Sequence, residues 1–510
     1  MKKVLDGLLA ASLCFSLLAC SKKSSKNSST NKTTTSEKTK ITTKKFTEAS
    51  VQKEFPRIDI VTTDGSNAFA TQPTRENKWD YVDCTVSVKN GDDIELDSKV
   101  AGIKARGNWT VNYDKKPLRI KFDKKQSMLG LNGGEAFKSW LLLAEYKDWS
   151  FLRNATAFNI AKLLSDEYYV SDYTFVDVYI NNKYWGVYLL CEQQEVKSNR
   201  VSITEPAKNY EGTDIGYFLE FDGYYDTEAD LEQFTIEYQN LLTYSGRLFN
   251  GDKFQKGFTI KSDIYSQDQN DFIKNYMQNV FDICYEAIYN NTYYEFDSTY
   301  QNKVLSTTIT NAKDAVSNVI DIESLVNAYI LAEIGCDTDF AWSSFFMDVD
   351  FGATGSKKLT FEAPWDFDSG FGNTVACLDA EGIFAGNINK DVHGDESANP
   401  WFLLCINEDW FRELVKTKWN TLMNANAFDT VLSYIETVTA EFKDKFTANY
   451  DKWQNCGVKG VGSVYWIEFD YSDAGNCKNQ TEAAECLYGW LSKRIANLNT
   501  IFNSSDFYSE

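Results

Sequence analysis

Alternating apolar and polar positions dominate the first half of the chain. In KKPLRIKFD, Leu118, Ile120 and Phe122 alternate with Arg119 and Lys121, which predicts a half-buried strand with a basic outer face. TFVDVYINNKYWGVYLL predicts a hairpin, with Val176, Val178 and Ile180 on one face and Asn181-Asn182-Lys183 at the turn. IGYFLEFD predicts another strand. In KDWSFLRNATAFNIAKLL the period changes. Phe151, Ala155, Phe158 and Ala161 recur at helical spacing, with Asp148 or Ser150 as N-cap. After residue 400 helical spacing takes over, in NPWFLLCINEDWFRELVKTKWNTLM, in residues 427–450 and in EAAECLYGWLSKRIANLNTIF. These periods predict an α+β fold, β-rich in its N-terminal part and helical in its C-terminal part.

Residues 321–372 carry the candidate chemistry. DIESLVNAYILAEIGC reads as a helix, with Leu325, Tyr329 and Ala332 along one stripe. SSFFMDVD reads as a strand, FGATGSKK as a turn and LTFEAPWDFD as a returning strand. In an antiparallel hairpin the entrance of the first strand lies beside the exit of the second. Asp337 and Asp339 stand at that entrance, and Asp366 and Asp368 at that exit. Like charges so close repel unless a cation or a proton separates them. Mg2+, a hard ion that takes oxygen ligands, suits such a set. Either pair taken alone is equally well read as solvated turn chemistry; together, at one end of one hairpin, they favour a site.

The rest of the composition narrows the field. The opening MKKVLDGLLAASLCFSLLAC has Lys2 and Lys3, then an apolar run too short for a comfortable membrane span, then Ala19-Cys20. It reads as a signal peptide over residues 1–20, and its end resembles a bacterial lipobox in which Cys20 is lipidated. A secretory leader with an incidental cysteine is the other reading. Residues 21–50 are Ser, Thr, Lys and Asn with little that is apolar, so they are expected to form a disordered tether. Eight lysines there would favour anionic headgroups, or merely solubilise a spacer. The expected location is therefore extracytoplasmic, anchored by lipid to a bacterial membrane.

A net charge of −21 argues against nucleic acid as a partner. Cys456, Cys477 and Cys486 are close enough in sequence for a disulfide, without a preferred pairing. His393 is the only histidine, so His-based triads and His-rich metal centres are excluded as general solutions. Any chemistry falls to carboxylates and lysines.

In order along the chain, IKARGNWT, KKPLRIKFD, WLLLAEYKDWSFLRNATAFNIA, VDVYINNKYWGVYLLCEQ, GYFLEFD, EIGCDTDFAWSS, PWDFDSGFG and WLSKRI resemble the CotH kinase family, over roughly residues 55–505. The resemblance implies an atypical protein-kinase-like domain, here residues 51–510, that uses ATP and Mg2+ (or Mn2+) to phosphorylate serine or threonine on a protein substrate. By position it implies Asp339 as the catalytic carboxylate and Asp366 and Asp368 as the metal motif, with Asp337 beside them where relatives more often carry Asn. Trp365 would wall the site, and Gly370 and Gly372 would let backbone approach phosphate. Arg106, Lys116, Arg119 and Lys121 are the candidate phosphate clamp, with Gly107 and Asn108 as a covering turn. Glu192 would sit near the nucleotide or cap its hairpin, and Arg153 fits a structural ion pair as well as a catalytic role. Trp109 and Glu145 also depart from the family's usual residues.

Two further readings stay open at this point. One is a surface lipoprotein that keeps the fold without turnover and binds a protein or carbohydrate through its aromatics; the chain has 13 Trp and 29 Tyr. The other is transfer of a different group from ATP. No oligomer signal is present.

Overall fold

The computed structural model describes residues 41–507 apart from 255, 374–377, 392 and 456–476. Its first half is a ring of strands: β1 (Arg57–Thr62), β2 (Val82–Asn90), β3 (Asp93–Ala105), β4 (Leu118–Gln126), β5 (Phe137–Leu143), β6 (Tyr173–Ile180) and β7 (Lys183–Glu192). The order is β1-β2-β3-β4-β5-β7-β6, closed where β6 pairs parallel with β1. Closure leaves no unpaired edge.

The alternation in β4 is realised as expected. Leu118, Ile120 and Phe122 are buried inside the ring, Arg119 is half-buried and Lys121 is exposed. Across the ring Ile103 pairs with Ile120 and Ile120 with Trp140, so one layer of the core is set by register. The β6–β7 turn takes only two residues. Asn181 and Asn182 have φ of 49° and 64°, the left-handed pair that Asn tolerates, and Lys183 already belongs to β7, paired with Ile180.

A second sheet is built on β8 (Gly216–Asp222), with β9 (Gln233–Phe234), β10 (Gly257–Ile260), β11 (Phe345–Asp350) and β12 (Thr360–Phe361), in the order β12-β11-β8-β10-β9. Here the expected hairpin is largely replaced. β11 meets β12 only at Met347↔Phe361 and Asp348↔Thr360, and its long partner is β8, from Phe345↔Phe221 to Asp350↔Gly216. Pro364 has no N–H for the ladder. Ala363 and Asp366 take φ of 59° and 66° on either side of it. The chain therefore leaves the sheet before the aspartates.

The helices are α1 (Arg153–Leu164), α2 (Gln267–Tyr289), α3 (Ala312–Val319), α4 (Ile322–Gly335), α5 (Pro400–Cys405), α6 (Asp409–Asn424), α7 (Ala427–Glu441), α8 (Lys443–Trp453) and α9 (Gln480–Phe502). Asp148 and Ser150 do serve the start of α1. Asp148 accepts from the Arg153 N–H at 2.8 Å and the Ser150 hydroxyl from the Leu152 N–H at 3.2 Å. The N-cap itself is Leu152. The result is a mixed α/β structure, β-rich in its N-terminal region and helical towards its C-terminus.

Residues 41–50 do not behave as tether. Phe46 packs edge-on against Tyr488 and its N–H donates to Glu485 at 2.8 Å, while Lys44 pairs with Glu436. One aromatic anchor in a polar run is enough to dock it. Cys20 and the remaining tether lie outside the described residues, as does Cys456; the Cys477 and Cys486 sulfurs are 3.4 Å apart. Among the described residues no helix is long and apolar enough to cross a membrane.

Candidate active site

A cleft of about 820 Å³ opens between the barrel and the second sheet. Arg106 and Arg119 line it from the barrel, Glu220 and Asp222 from β8, Lys147 from the loop before α1, and Asp339, Trp365, Asp366 and Asp368 from the two acidic segments. The two segments that the sequence separates by about thirty residues thus share one cavity, although a loop rather than a strand delivers the second.

The first segment is shaped by the end of α4. Cys336 caps the helix in the left-handed region, and the Asp337 carboxylate accepts from the Asp339 N–H at 2.9 Å. That turn aims Asp339 into the cleft. Asp337 itself is a correction to the expected metal set. It is buried (3% exposed), does not line the cleft that holds Asp339, Asp366 and Asp368, and borders a small cavity of about 70 Å³ behind Trp365, where its Oδ2 has no hydrogen-bond partner among the described residues.

The second segment is pinned by α1. Asn154 Oδ1 accepts from the Phe367 N–H at 2.8 Å, and Arg153, ion-paired with Asp148, donates to the Gly370 carbonyl at 3.1 Å. Arg153 is therefore the structural ion pair, not a cleft residue. The Phe371 N–H reaches the Gly335 carbonyl at 2.6 Å, tying the loop back to α4. The glycines answer to packing and not to phosphate. A Cβ on Gly370 would lie 3.1 Å from the Gly335 carbonyl, and one on Gly372, at φ 77°, would lie 2.6 Å from the Trp490 ring.

The clamp residues divide. Arg106 lies 5.7 Å over the Trp365 ring and Arg119 donates to Ser139 at 3.3 Å; both face the cleft, as do Gly107, Asn108 and Trp109. Lys116 does not. It is buried, with its ammonium spent on the Val111 and Tyr113 carbonyls at 2.7 and 3.0 Å, so it is a strut for the loop. Lys121 is exposed on the barrel exterior, 5.7 Å from the Tyr81 ring. Two strand positions carry it past the cleft mouth that Arg119 reaches. Glu192 is buried in an ion pair with Arg200 at 3.0 Å and accepts from the Asp172 N–H at 2.9 Å, leaving its neighbour Gln193 to line the cleft.

Sequence reasoning missed Lys147. Its ammonium is 3.3 Å from Asp368 and hydrogen-bonded to Ser369. The available signal was a cation between Tyr146 and Asp148 in the segment leading to an acid-facing helix. Glu145, seen only as a departure, lines the cleft and accepts from Asn154 at 3.1 Å. Trp342 and His393, with rings 4.3 Å apart, and Tyr224, 3.2 Å from His393, form a further aromatic cluster; Trp342 and Tyr224 line the cleft.

Enclosure dominates the electrostatics. Burial, reinforced by Asp368 and offset by Lys147 and Arg106, pushes Asp366 up to about 7. Burial, with Asp337 and Asp366, holds Asp339 well above the carboxylate range. Lys147 is held charged: burial would lower it, but Asp368 and the other site carboxylates outweigh that. Oxygen donors of the kind a hard divalent cation takes are therefore present and short of positive charge. Among the described residues, however, no three acidic, histidine or cysteine side chains stand ready as a ligand set. The donor chemistry fits such an ion, and Lys147 lies against one of the donors, Asp368.

Comparison with curated proteins gives no match. The family of CotH kinase proteins matches residues 103–498, a span that holds the barrel from the end of β3 onward, the second sheet and every cleft carboxylate. On a match of that extent, the chain belongs to the CotH kinase family.

Proposed function

We propose that this protein is an atypical protein kinase, with a kinase-like fold, that transfers the γ-phosphate of ATP to a serine or threonine hydroxyl of a protein. The observation that carries the reading is the meeting of Asp339, Asp366 and Asp368 with Arg106, Arg119 and Lys147 in one cleft. Phosphoryl transfer needs little covalent help from a protein. It needs phosphates held in place, their charge neutralised, and a carboxylate near the attacking hydroxyl.

Arg106 and Arg119 supply the fixed positive charge for the phosphates. Arg106 is oriented by the Trp365 face beneath it. Asp366 and Asp368 are the oxygens that would hold Mg2+ or Mn2+, which when bound would offset phosphate charge. Asp339 accepts the hydroxyl proton at its carboxylate. Its raised proton affinity suits a base, and a divalent cation held by Asp366 and Asp368 would favour its ionised form. Trp109, Trp342 and Tyr224 exclude water from the rim.

The leader pattern adds a location to this reading: secretion, and tethering to a membrane through lipid on Cys20. The test is to incubate the chain with Mg2+ or Mn2+, ATP labelled at the γ-phosphate and a basic acceptor protein, beside Asp339→Ala and Asp366→Ala. Label entering protein with the wild type and lost in both variants supports the kinase. Label from the α-position instead would redirect the reading to transfer of a nucleotidyl group. No label and no metal-dependent nucleotide binding would leave a non-catalytic surface-binding protein.

A further inference from the structure

Lys147 is built into the cleft floor. Both members of its ion pair with Asp368 are largely buried, with side chains 10% and 12% exposed. The loop that carries it is clamped on both sides. Asn455 donates to the Tyr146 carbonyl at 2.8 Å, and Asp148 is ion-paired with Arg153 and accepts its N–H. The backbone that carries the lysine is therefore fixed, and its side chain reaches Asp368 from a set point on the cleft floor. Every observation is of a site that attracts positive charge and already holds one.

We propose that Lys147 is an internal counter-ion: its ammonium fills the place against Asp368 that a divalent cation would take, so that the chain without nucleotide binds such cations weakly. A consequence rests on the kinase reading. Phosphates entering the cleft compete for the ammonium and draw it from Asp368, so metal and nucleotide load together and each strengthens the other's binding. The counter-ion itself rests on the cleft geometry alone. A cation held against Asp368 opposes a second cation by like-charge repulsion and by occupying an oxygen.

The experiment uses Mn2+ alone, without nucleotide, titrated into the purified chain and followed by the spin-resonance signal of free Mn2+. The wild type, Lys147→Met and Lys147→Arg are compared. Expected is about tenfold tighter binding by Lys147→Met, with Lys147→Arg close to the wild type. Mn2+ should also raise the melting temperature of Lys147→Met more than that of the wild type, because the ion replaces a lost counter-charge. Equal affinities in the wild type and a folded Lys147→Met overturn the proposal. Should Lys147→Met fail to fold, the wild type decides: a Kd for Mn2+ below about 10 μM without nucleotide overturns it, and a weaker one upholds it. No nucleotide is present, so a chain that transfers no phosphate still gives a result.

Discussion

Asn154, in the first turn of α1, accepts the Phe367 N–H at 2.8 Å and donates to Glu145 at 3.1 Å. One buried amide thus joins the acidic loop to the loop after β5 that carries Glu145 and Lys147. The loop between Pro364 and Gly372 has no sheet ladder of its own to hold it, so this contact and Arg153 set where Asp366 and Asp368 stand.

Asn154→Ala should therefore cost stability as well as activity. It strands a buried N–H and removes a partner of a buried carboxyl, about 2–4 kcal/mol together. Urea unfolding should show that loss. Asn154→Asp keeps the acceptor for Phe367 but sets a second carboxylate against Glu145, and should not rescue. Recovery with Asp would show that the contact to Glu145 is unimportant.

A second buried pair lies at the other end of the same loop system. Arg494 in α9 donates to Glu333 in α4 at 2.6 Å, both side chains fully buried, and Glu333 also accepts from the Ala385 N–H at 2.9 Å. Arg494→Met leaves a buried charge without its partner, which should cost about 3–5 kcal/mol. The double variant Arg494→Met, Glu333→Gln should recover part of that loss, because the stranded charge is gone. A double variant no more stable than the single one would place the cost in packing instead.

The sequence disclosed periodic elements well and irregular ones poorly. β4 and the β6–β7 hairpin follow from alternation, because one face of each strand meets an apolar interior. Barrel closure was not legible, since the parallel pairing of β1 with β6 joins segments more than a hundred residues apart and leaves no local mark. The site was half legible. Asp339, Asp366 and Asp368 could be placed together from their strand-end positions, yet the route was wrong: Pro364 and two left-handed residues carry the second segment, not a strand. Basic residues fared worst. Lys116 and Lys121 look equivalent to Arg119 in the sequence, and only the backbone decides that one lysine is a buried strut and the other points to solvent. Lys147 carried only a faint mark, a cation between Tyr146 and Asp148 in the segment leading to α1.

That division gives a functional contrast. Arg119→Ala should raise the KM for ATP about tenfold, the effect of losing one charged contact to phosphate. Lys121→Ala, on the exterior, should stay within about twofold of the wild type. Steady-state kinetics across ATP concentrations checks both. A comparable loss in Lys121→Ala would return that lysine to the nucleotide.

Asp339→Asn should lower kcat by about 10²–10⁴-fold while leaving nucleotide affinity near that of the wild type, because the group acts on the hydroxyl proton and not on the phosphates. Labelled-phosphate transfer measures the first and equilibrium binding the second. A variant that loses nucleotide affinity in step with activity would make Asp339 a ligand-holding residue rather than a base.

The pH dependence of stability should carry the mark of a second acidic pair, away from the cleft. Asp348 in β11 and Glu362 just past β12 are enclosed together. Burial pushes Glu362 up to about 7, and burial with Glu362, Asp350 and Asp321 nearby holds Asp348 well above its ordinary range. In the unfolded chain both release their protons near pH 4, whereas the native state keeps them bound. Between about pH 4 and pH 7 the native state therefore binds more protons, and its stability falls as pH rises through that window. Asp348→Asn fixes the neutral form, and its amide can still donate to Glu362. Its gain over the wild type should be near zero at pH 4 and grow to about 2 kcal/mol at pH 8, read from urea midpoints at the two values. Groups remote from the pair titrate alike in both chains and cancel in the difference, whereas Glu362, which faces Asp348, shifts with the substitution and is part of the effect read. A gain independent of pH would mean that the substitution acts through packing and that these carboxyls ionise as they do in water.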